Sequence, residues 1–348
     1  MADTAPAFPR DKRGEWVPEE LPKPGPAFSR PWQIKRAINV IFGFEGVLGW
    51  QSLVYIGLTV VSWLFLTPDV ARMRTLGIGW IAELYLRNAA LLLLIAGTLH
   101  LRLYVLKAQG DRYKFNARFP QAGNSKFLFG SQTWDNVFWC FVSGVTIWTA
   151  FEALSLWAYA NGILPWVEFR TNPVYCLLLF PFINLFRQVH FYWTHRLTHW
   201  KPYYRAAHYV HHKNVSPGPW SGFSMHPLEH LIYLSGFLLH WILPSHPIHM
   251  VYHLLHAGLT PANGHSGFHR VEVRDKPSVK SGDYFHYLHH RYFDCNYGNE
   301  GVPLDKWFGS FHDGSPEAHE AMRGRHRRIK LGRKYVPQPG AAATPDLR

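Results

Sequence analysis

The sequence predicts an all-α fold, a multi-pass membrane helical bundle with a histidine-rich cytoplasmic cap. Three observations carry that expectation. Apolar residues make up 47% of the 348 and charged residues only 17%, which leaves long stretches without the charge that keeps a surface in water. Several of those stretches approach the roughly 20 residues a helix needs to cross a hydrocarbon core. Of 22 histidines, 19 lie between His190 and His312.

Residues 1–46 are rich in proline and charge and lack the apolar core and small-residue cleavage site of a secretory signal, so insertion is expected to rely on internal spans. Residues 47–66 contain no charge and form the first expected span. Residues 81–106 form the second, with Glu83, Arg87 and Arg102 placed near its ends where they reach the interface. Residues 136–167 hold one charge, Glu152, and 173–186 are apolar up to Arg187, which supplies a third and a fourth span, the latter expected to kink at Pro181. Residues 231–248, and the stretch on to about 259, are shorter and carry histidine and proline. They read as a hairpin that enters the membrane partly or lines a cavity.

Orientation follows from lysine and arginine in the loops. Residues 1–46 hold seven, 107–134 five, 196–227 four and 261–348 fourteen, whereas 67–80 hold two, 161–172 one and 244–247 none. Both termini and every histidine cluster are therefore expected on the cytoplasmic side. The net charge of +13 is assigned to an anionic membrane surface, because a nucleic-acid module does not carry such apolar stretches. The basic tail from Glu317 is read as solvated or touching headgroups, and 337–348 as disordered. Cys140, Cys176 and Cys295 show no CxxC spacing, which gives neither a disulfide framework nor a zinc-finger site.

Three boxes carry the chemistry: His195 and His199 in HxxxH, His208, His211 and His212 in HxxHH, and His286, His289 and His290 in a second HxxHH. On a helix, positions i, i+3 and i+4 share a face, so each box can aim two or three imidazoles at one point. Imidazole is neutral near pH 7 and donates well to iron, zinc, copper or nickel. Eight imidazoles exceed what one ion can use, which argues for two metals in a shared site. His265 and His269, in a glycine-containing loop, are further candidate ligands. His226 and His230 read as supporting donors, with Pro227 marking a helix start and His226 at its cap. His190, about 140° from His195 around a helix, reads as structural. His246, His249, His253 and His256 fall on one stripe and are expected to form a hydrogen-bonded seam beside the site.

At these boxes the sequence resembles the fatty acid hydroxylase and sterol desaturase superfamily, whose members carry HxxxH, HxxHH and HxxHH in this order. The likeness extends to the Ser-Met-His226-Pro turn, to His265-Ser-Gly-Phe, and to Asn296-Tyr297-Gly298 followed by Asp305 to Ser310. It runs from about Pro173 to Asp313 and divides the chain into an N-terminal segment 1–46, a transmembrane hairpin with basic loop 47–130, a catalytic domain 131–313 and a basic tail 314–348. The resemblance implies a non-haem di-iron oxygenase with His195, His199, His208, His211, His212, His286, His289 and His290 as ligands, together with His265. Asp305 is then structural or orients the cap. HxxxH in place of HxxxxH tilts the reading to the sterol-modifying side.

The expected activity is oxygen-dependent hydroxylation or desaturation of a membrane lipid, sterol-like or fatty-acyl, arriving sideways from the bilayer. Two ferrous ions and dioxygen are required, since acid-base chemistry cannot attack an unactivated C–H bond. No GxGxxG and no CxxCH is present, so an external electron donor, a redox protein on the cytoplasmic side, is expected. The alternatives are an ether-lipid cleaving monooxygenase on the same site and a metal-binding or metal-transport membrane protein. The segment from His286 to Ser310 is expected to form a lid, with Gly298 supplying a positive φ and Trp307 and Phe308 packing on the helix of the third box.

Overall fold

The structure is a computed structural model and describes residues 10–23, 33–46, 48–120, 122–274 and 276–334. The segment 337–348, expected to be disordered, lies outside the described residues. An amphipathic helix α1 (Ile34–Phe42) turns into α2 (Trp50–Phe65), which is 16 residues long and not the 20 expected. The difference lies at its start, where Gly46 N bonds Gly43 O and Gly49 N bonds Gly46 O in tight turns.

Among the described residues three helices are long and apolar enough to cross a membrane: α3 (Ile78–Val105), α4 (Gln132–Ala160) and α5 (Pro173–Thr198). At 1.5 Å per residue each is roughly 40 Å long. α3 and α4 hold their length by absorbing π-turns at Leu93–Gly97, Leu101–Val105 and Cys140–Val145. α5 runs unbroken past the expected end at 186 and through Pro181 to carry His195. α2 is polar inside and apolar outside: Ser52, Thr59 and Ser62 are buried while Leu53, Val61, Leu64 and Phe65 are exposed. Water does not produce that inversion, but a lipid surround does.

A segment 201–212 (α6) and α7 (Pro227–Leu234) lead to α8 (Pro247–Gly264). The stretch expected to enter the membrane partly or to line a cavity does line one, with Ile232, Tyr233 and His256, and its second half lies in a central helix, buried along nearly its whole length and packed on α2, α3, α4 and α5. Gly258 permits the α4 contact, since a Cβ there would stand 2.6 Å from the Trp148 ring. A two-stranded antiparallel hairpin, β1 (Arg270–Val273) and β2 (Lys276–Lys280), follows α8. The chain closes with α9 (Tyr284–Tyr292), α10 (Leu304–Trp307) and α11 (Pro316–Lys334). The described part of the N-terminal segment straps this end: Trp16 N bonds Phe115 O, and the Glu15 carboxylate takes the Tyr287 hydroxyl and pairs with Arg291.

One expected placement is corrected. Arg87 is not at an interface but buried between α3 and α4, ion-paired with Glu152, whose other oxygen accepts from Asn88 Nδ2 at 3.0 Å. Arg87 also donates to Thr67 Oγ1 at 3.0 Å. Hydropathy counts Arg87 and Glu152 as separate charges in two helices, whereas the fold makes them neutralise each other. Glu152→Ala should leave Arg87 uncompensated and lower stability by about 3–5 kcal/mol, read as a fall in thermal midpoint in detergent. Arg87→Met combined with Glu152→Leu should recover most of that loss, and an unchanged midpoint for Glu152→Ala would refute the assignment.

Candidate metal centre

α5 delivers the first box. His195 lies in its last turn and His199 is its C-cap residue, after which Pro202 opens α6. Within α6 a π-turn over Tyr204–His208 sets the phase of His208, and Tyr209–His212 completes the second box. α9 carries the third box and is capped by Asp283, whose carboxylate accepts from Phe285 N at 2.9 Å and His286 N at 3.3 Å. His265 is the C-cap residue of α8.

Nine histidines converge in two groups, His195, His199, His208, His212 and His289 in one and His211, His265, His286 and His290 in the other. Within each group the donor atoms lie within 4.8 Å of one another. The HxxxH box aims both rings at one group, as the sequence suggested, but an HxxHH box does not aim at a single point. In both HxxHH boxes the i, i+4 pair enters one group and the i+3 histidine the other, since the i+3 ring is rotated about 60° from the first and 100° from the last.

Hydrogen bonds fix the ring tautomers. His195 Nδ1 donates to Tyr297 O at 2.7 Å, His289 Nδ1 to Cys295 O at 2.6 Å and His265 Nδ1 to Pro261 O at 3.0 Å. A carbonyl only accepts, so each Nδ1 carries the proton and each Nε2 presents a bare lone pair. Those lone pairs point at other imidazole nitrogens. His289 Nε2 is 3.1 Å from His199 Nε2 and 3.0 Å from His212 Nε2, and His208 Nε2 is 3.0 Å from His199 Nε2. In the other group, His265 Nε2 is 3.0 Å from His286 Nε2 and 3.1 Å from His290 Nε2. Neighbouring donors of an octahedron with bonds of about 2.1 Å stand roughly 3.0 Å apart, which matches.

Burial holds the rings neutral. It depresses His211 to about 4 and takes His208, His212, His265, His286, His289 and His290 far below the ordinary histidine value, with the neighbouring imidazoles adding to the effect. Neutral, convergent and shielded nitrogens are what a divalent cation requires, so the residues fit one ion in each group.

The supporting contacts were mostly invisible in the sequence. His208 Nδ1 donates to the buried Glu229 carboxylate at 2.6 Å, the arrangement that orients a metal-bound imidazole. The carbonyls of Cys295 and Tyr297 are backbone atoms and leave no residue signature. A sequence signal existed only for Glu229, the third residue of the helix that His226 caps, where Leu228 N bonds His226 Nδ1 at 3.3 Å.

The remaining histidines fall outside both groups. His269 packs on Trp16 and Phe115, with ring centroids 5.7 and 6.2 Å away. His230 meets Ser143 Oγ at 2.7 Å and His190 meets Ser235 Oγ at 3.0 Å. His246 caps α8, His249 bonds Cys176 O and His253 bonds His240, which is a seam. His256 stacks near Tyr55 and lines a cavity of about 1060 Å³ whose wall also includes His195, His208, His211, His265 and His286.

The lid differs in detail from the expectation. The positive φ belongs to Asn296, at +54°, and not to Gly298. Asn296 Nδ2 donates to Phe285 O at 2.9 Å and to His312 O at 2.7 Å, tying the lid to α9. The Asp305 carboxylate collects Tyr297 N and Gly298 N, each at 2.8 Å, and Ser310 Oγ at 2.6 Å. Glycine is needed at 298 for space, because a Cβ would stand 3.1 Å from both Asp305 Oδ2 and Tyr192. Phe308 packs on Tyr192 and Trp193 of α5, not on α9, and Phe311 is the ring that meets Phe285 of α9. Trp307 is 54% exposed.

Residues 180–310 match the fatty acid hydroxylase family profile. The chain is 29% identical over 151 residues to the Delta(7)-sterol 5(6)-desaturase ERG3B of Gibberella zeae, covering 40% of this chain and 44% of that protein. It is 29% identical over 148 residues to the Delta(7)-sterol 5(6)-desaturase ERG3 of Saccharomyces cerevisiae, covering 42% and 39%. It is 31% identical over 135 residues to the human lathosterol oxidase, covering 36% and 42%. The matched region thus spans about two fifths of the length of these curated relatives. No solved structure matches.

Gly298→Val should displace the lid from Asp305 and with it the Tyr297 carbonyl that orients His195. Metal content of the purified variant, measured by mass spectrometry, should fall in proportion, although residue 298 donates nothing to a metal. Full occupancy would show that the lid does not support the site.

Proposed function

We propose, on the premise that residues 180–310 belong to the fatty acid hydroxylase and sterol desaturase superfamily, that the protein is a membrane-bound di-iron oxygenase acting on a lipid C–H bond. The observation that carries this reading is the set of nine imidazoles in two groups, with their bare Nε2 atoms converging beside a cavity large enough for a lipid. His195, His199, His208, His212 and His289 would hold one ion, and His211, His265, His286 and His290 the other. Two ferrous ions bound there supply what side chains cannot, the reduction of dioxygen and the oxidation of an unactivated carbon.

The chain's own residues do the positioning. Glu229 and the carbonyls of Cys295, Tyr297 and Pro261 hold the Nδ1 protons and aim the rings. The apolar part of the cavity wall, with Phe191, Ile232 and Met225, keeps bulk water away from the reacting carbon. Electrons come from a separate donor, and the basic helix α11 offers Arg323 and Arg327 to an acidic redox protein. In this reading the helices cross the bilayer several times and the site faces the cytoplasm, consistent with the loop charges. The names of the relatives favour a sterol substrate, with hydroxylation or desaturation as the outcome.

Protein reconstituted with ferrous iron, a reductant and lathosterol should consume dioxygen in step with product formation, and His289→Ala should lower turnover at least 100-fold by the loss of a ligand held in place from behind by the Cys295 carbonyl. Turnover that persists under strict anaerobiosis would overturn the proposal.

A further inference from the structure

One side of α5 faces the cavity along its last three turns, where Arg187, Gln188, Phe191, Thr194, His195 and Thr198 line the wall. Steps of three and four residues keep these positions on one face. A molecule lying along that face meets Arg187 at one end and His195 at the other, eight residues or about 12 Å apart along the helix.

Arg187 is a cation within a helix long and apolar enough to span a membrane. Arg87, the other arginine deep in the bundle, has Glu152. Among the described residues no carboxylate stands within ion-pair distance of Arg187, whose charge is felt by hydroxyls and imidazoles, namely Tyr55, Tyr233, Tyr252, His190 and His253. An ionised group at such depth facing a cavity marks a place where a ligand belongs. Asn184 on the same wall is satisfied, since its Nδ2 donates to Ser52 Oγ at 3.1 Å and its Oδ1 accepts from the Tyr252 hydroxyl at 2.7 Å. Arg187 meets the Tyr233 hydroxyl, which donates to Ala257 O at 2.8 Å, and the guanidinium carries further N–H groups for an incoming oxygen.

We propose that Arg187 anchors the neutral hydroxyl head of the lipid substrate, with the rest of the molecule running along α5 towards His195. The inference rests on the oxygenase reading and adds the substrate's orientation. A hydroxyl oxygen accepts from Arg187 and brings no charge onto a wall that also carries the carboxyl groups of Glu229, Asp283 and Glu300. The rise of about 12 Å between the two residues is on the scale of a fused-ring alcohol lying lengthwise along that face.

Binding to the iron-loaded protein in lipid nanodiscs tests this with two probes, lathosterol and its 3-deoxy counterpart. Arg187→Met should weaken lathosterol at least ~10-fold and leave the 3-deoxy compound unchanged, with iron content as in the wild type, and Arg187→Lys should recover part of the loss. Equal weakening of both probes, or of neither, would overturn the inference. The two readings fail separately: iron-loaded wild type that oxidises no lipid sinks the oxygenase, whereas sterol turnover with an Arg187→Met variant that binds both probes as the wild type does sinks only the anchor.

Discussion

Bare imidazole nitrogens facing each other at about 3 Å repel, and the rest of the structure is organised around that constraint. Four of these lone pairs are fixed by a proton on the opposite ring nitrogen, and that proton is held by a buried acceptor: Tyr297 O for His195, Cys295 O for His289, Pro261 O for His265 and Glu229 for His208. None of these rings can rotate out of the conflict without stranding a buried N–H. Protonation, the other escape, is opposed by burial, which pushes these histidines far below their ordinary range. A cation in each group turns the repulsion into ligation.

The fold supplies the acceptors from distant parts of the chain. α8 is buried because it must place Pro261 O and His265 while packing on α2, α3, α4 and α5. The lid is pinned at Asn296 and Asp305 because its carbonyls orient histidines from two different boxes. The strap from Glu15 to Tyr287 and Arg291 holds the helix of the third box from its other side. A lipid-facing exterior and a polar interior, as in α2, complete the inversion that lets a buried polar centre sit at the end of a membrane bundle.

The helical membrane class and eight of the nine converging histidines were legible from spacing alone, because the i, i+3, i+4 pattern is a local property of one helix. His265 was legible from composition and strengthened by resemblance. The division of each HxxHH box between two groups was not, since it depends on how α5, α6 and α9 are rotated against one another. Arg87 was misplaced because a hydropathy profile reads charges singly and Glu152 lies 65 residues away. Gly298 was given the right importance for the wrong reason: its neighbours Asp305 and Tyr192 limit space, and only tertiary structure shows them. The hairpin Arg270–Val273 with Lys276–Lys280 was missed because short, charged strands carry little apolar alternation.

The most direct test is anaerobic equilibrium binding of ferrous iron to the purified protein and to two single-ligand variants, His212→Ala and His290→Ala, which weaken one group each. The account predicts two ions per chain for the wild type and one tight ion for each variant. A wild type that binds a single ion, or variants that both keep two with unchanged affinity, would contradict it.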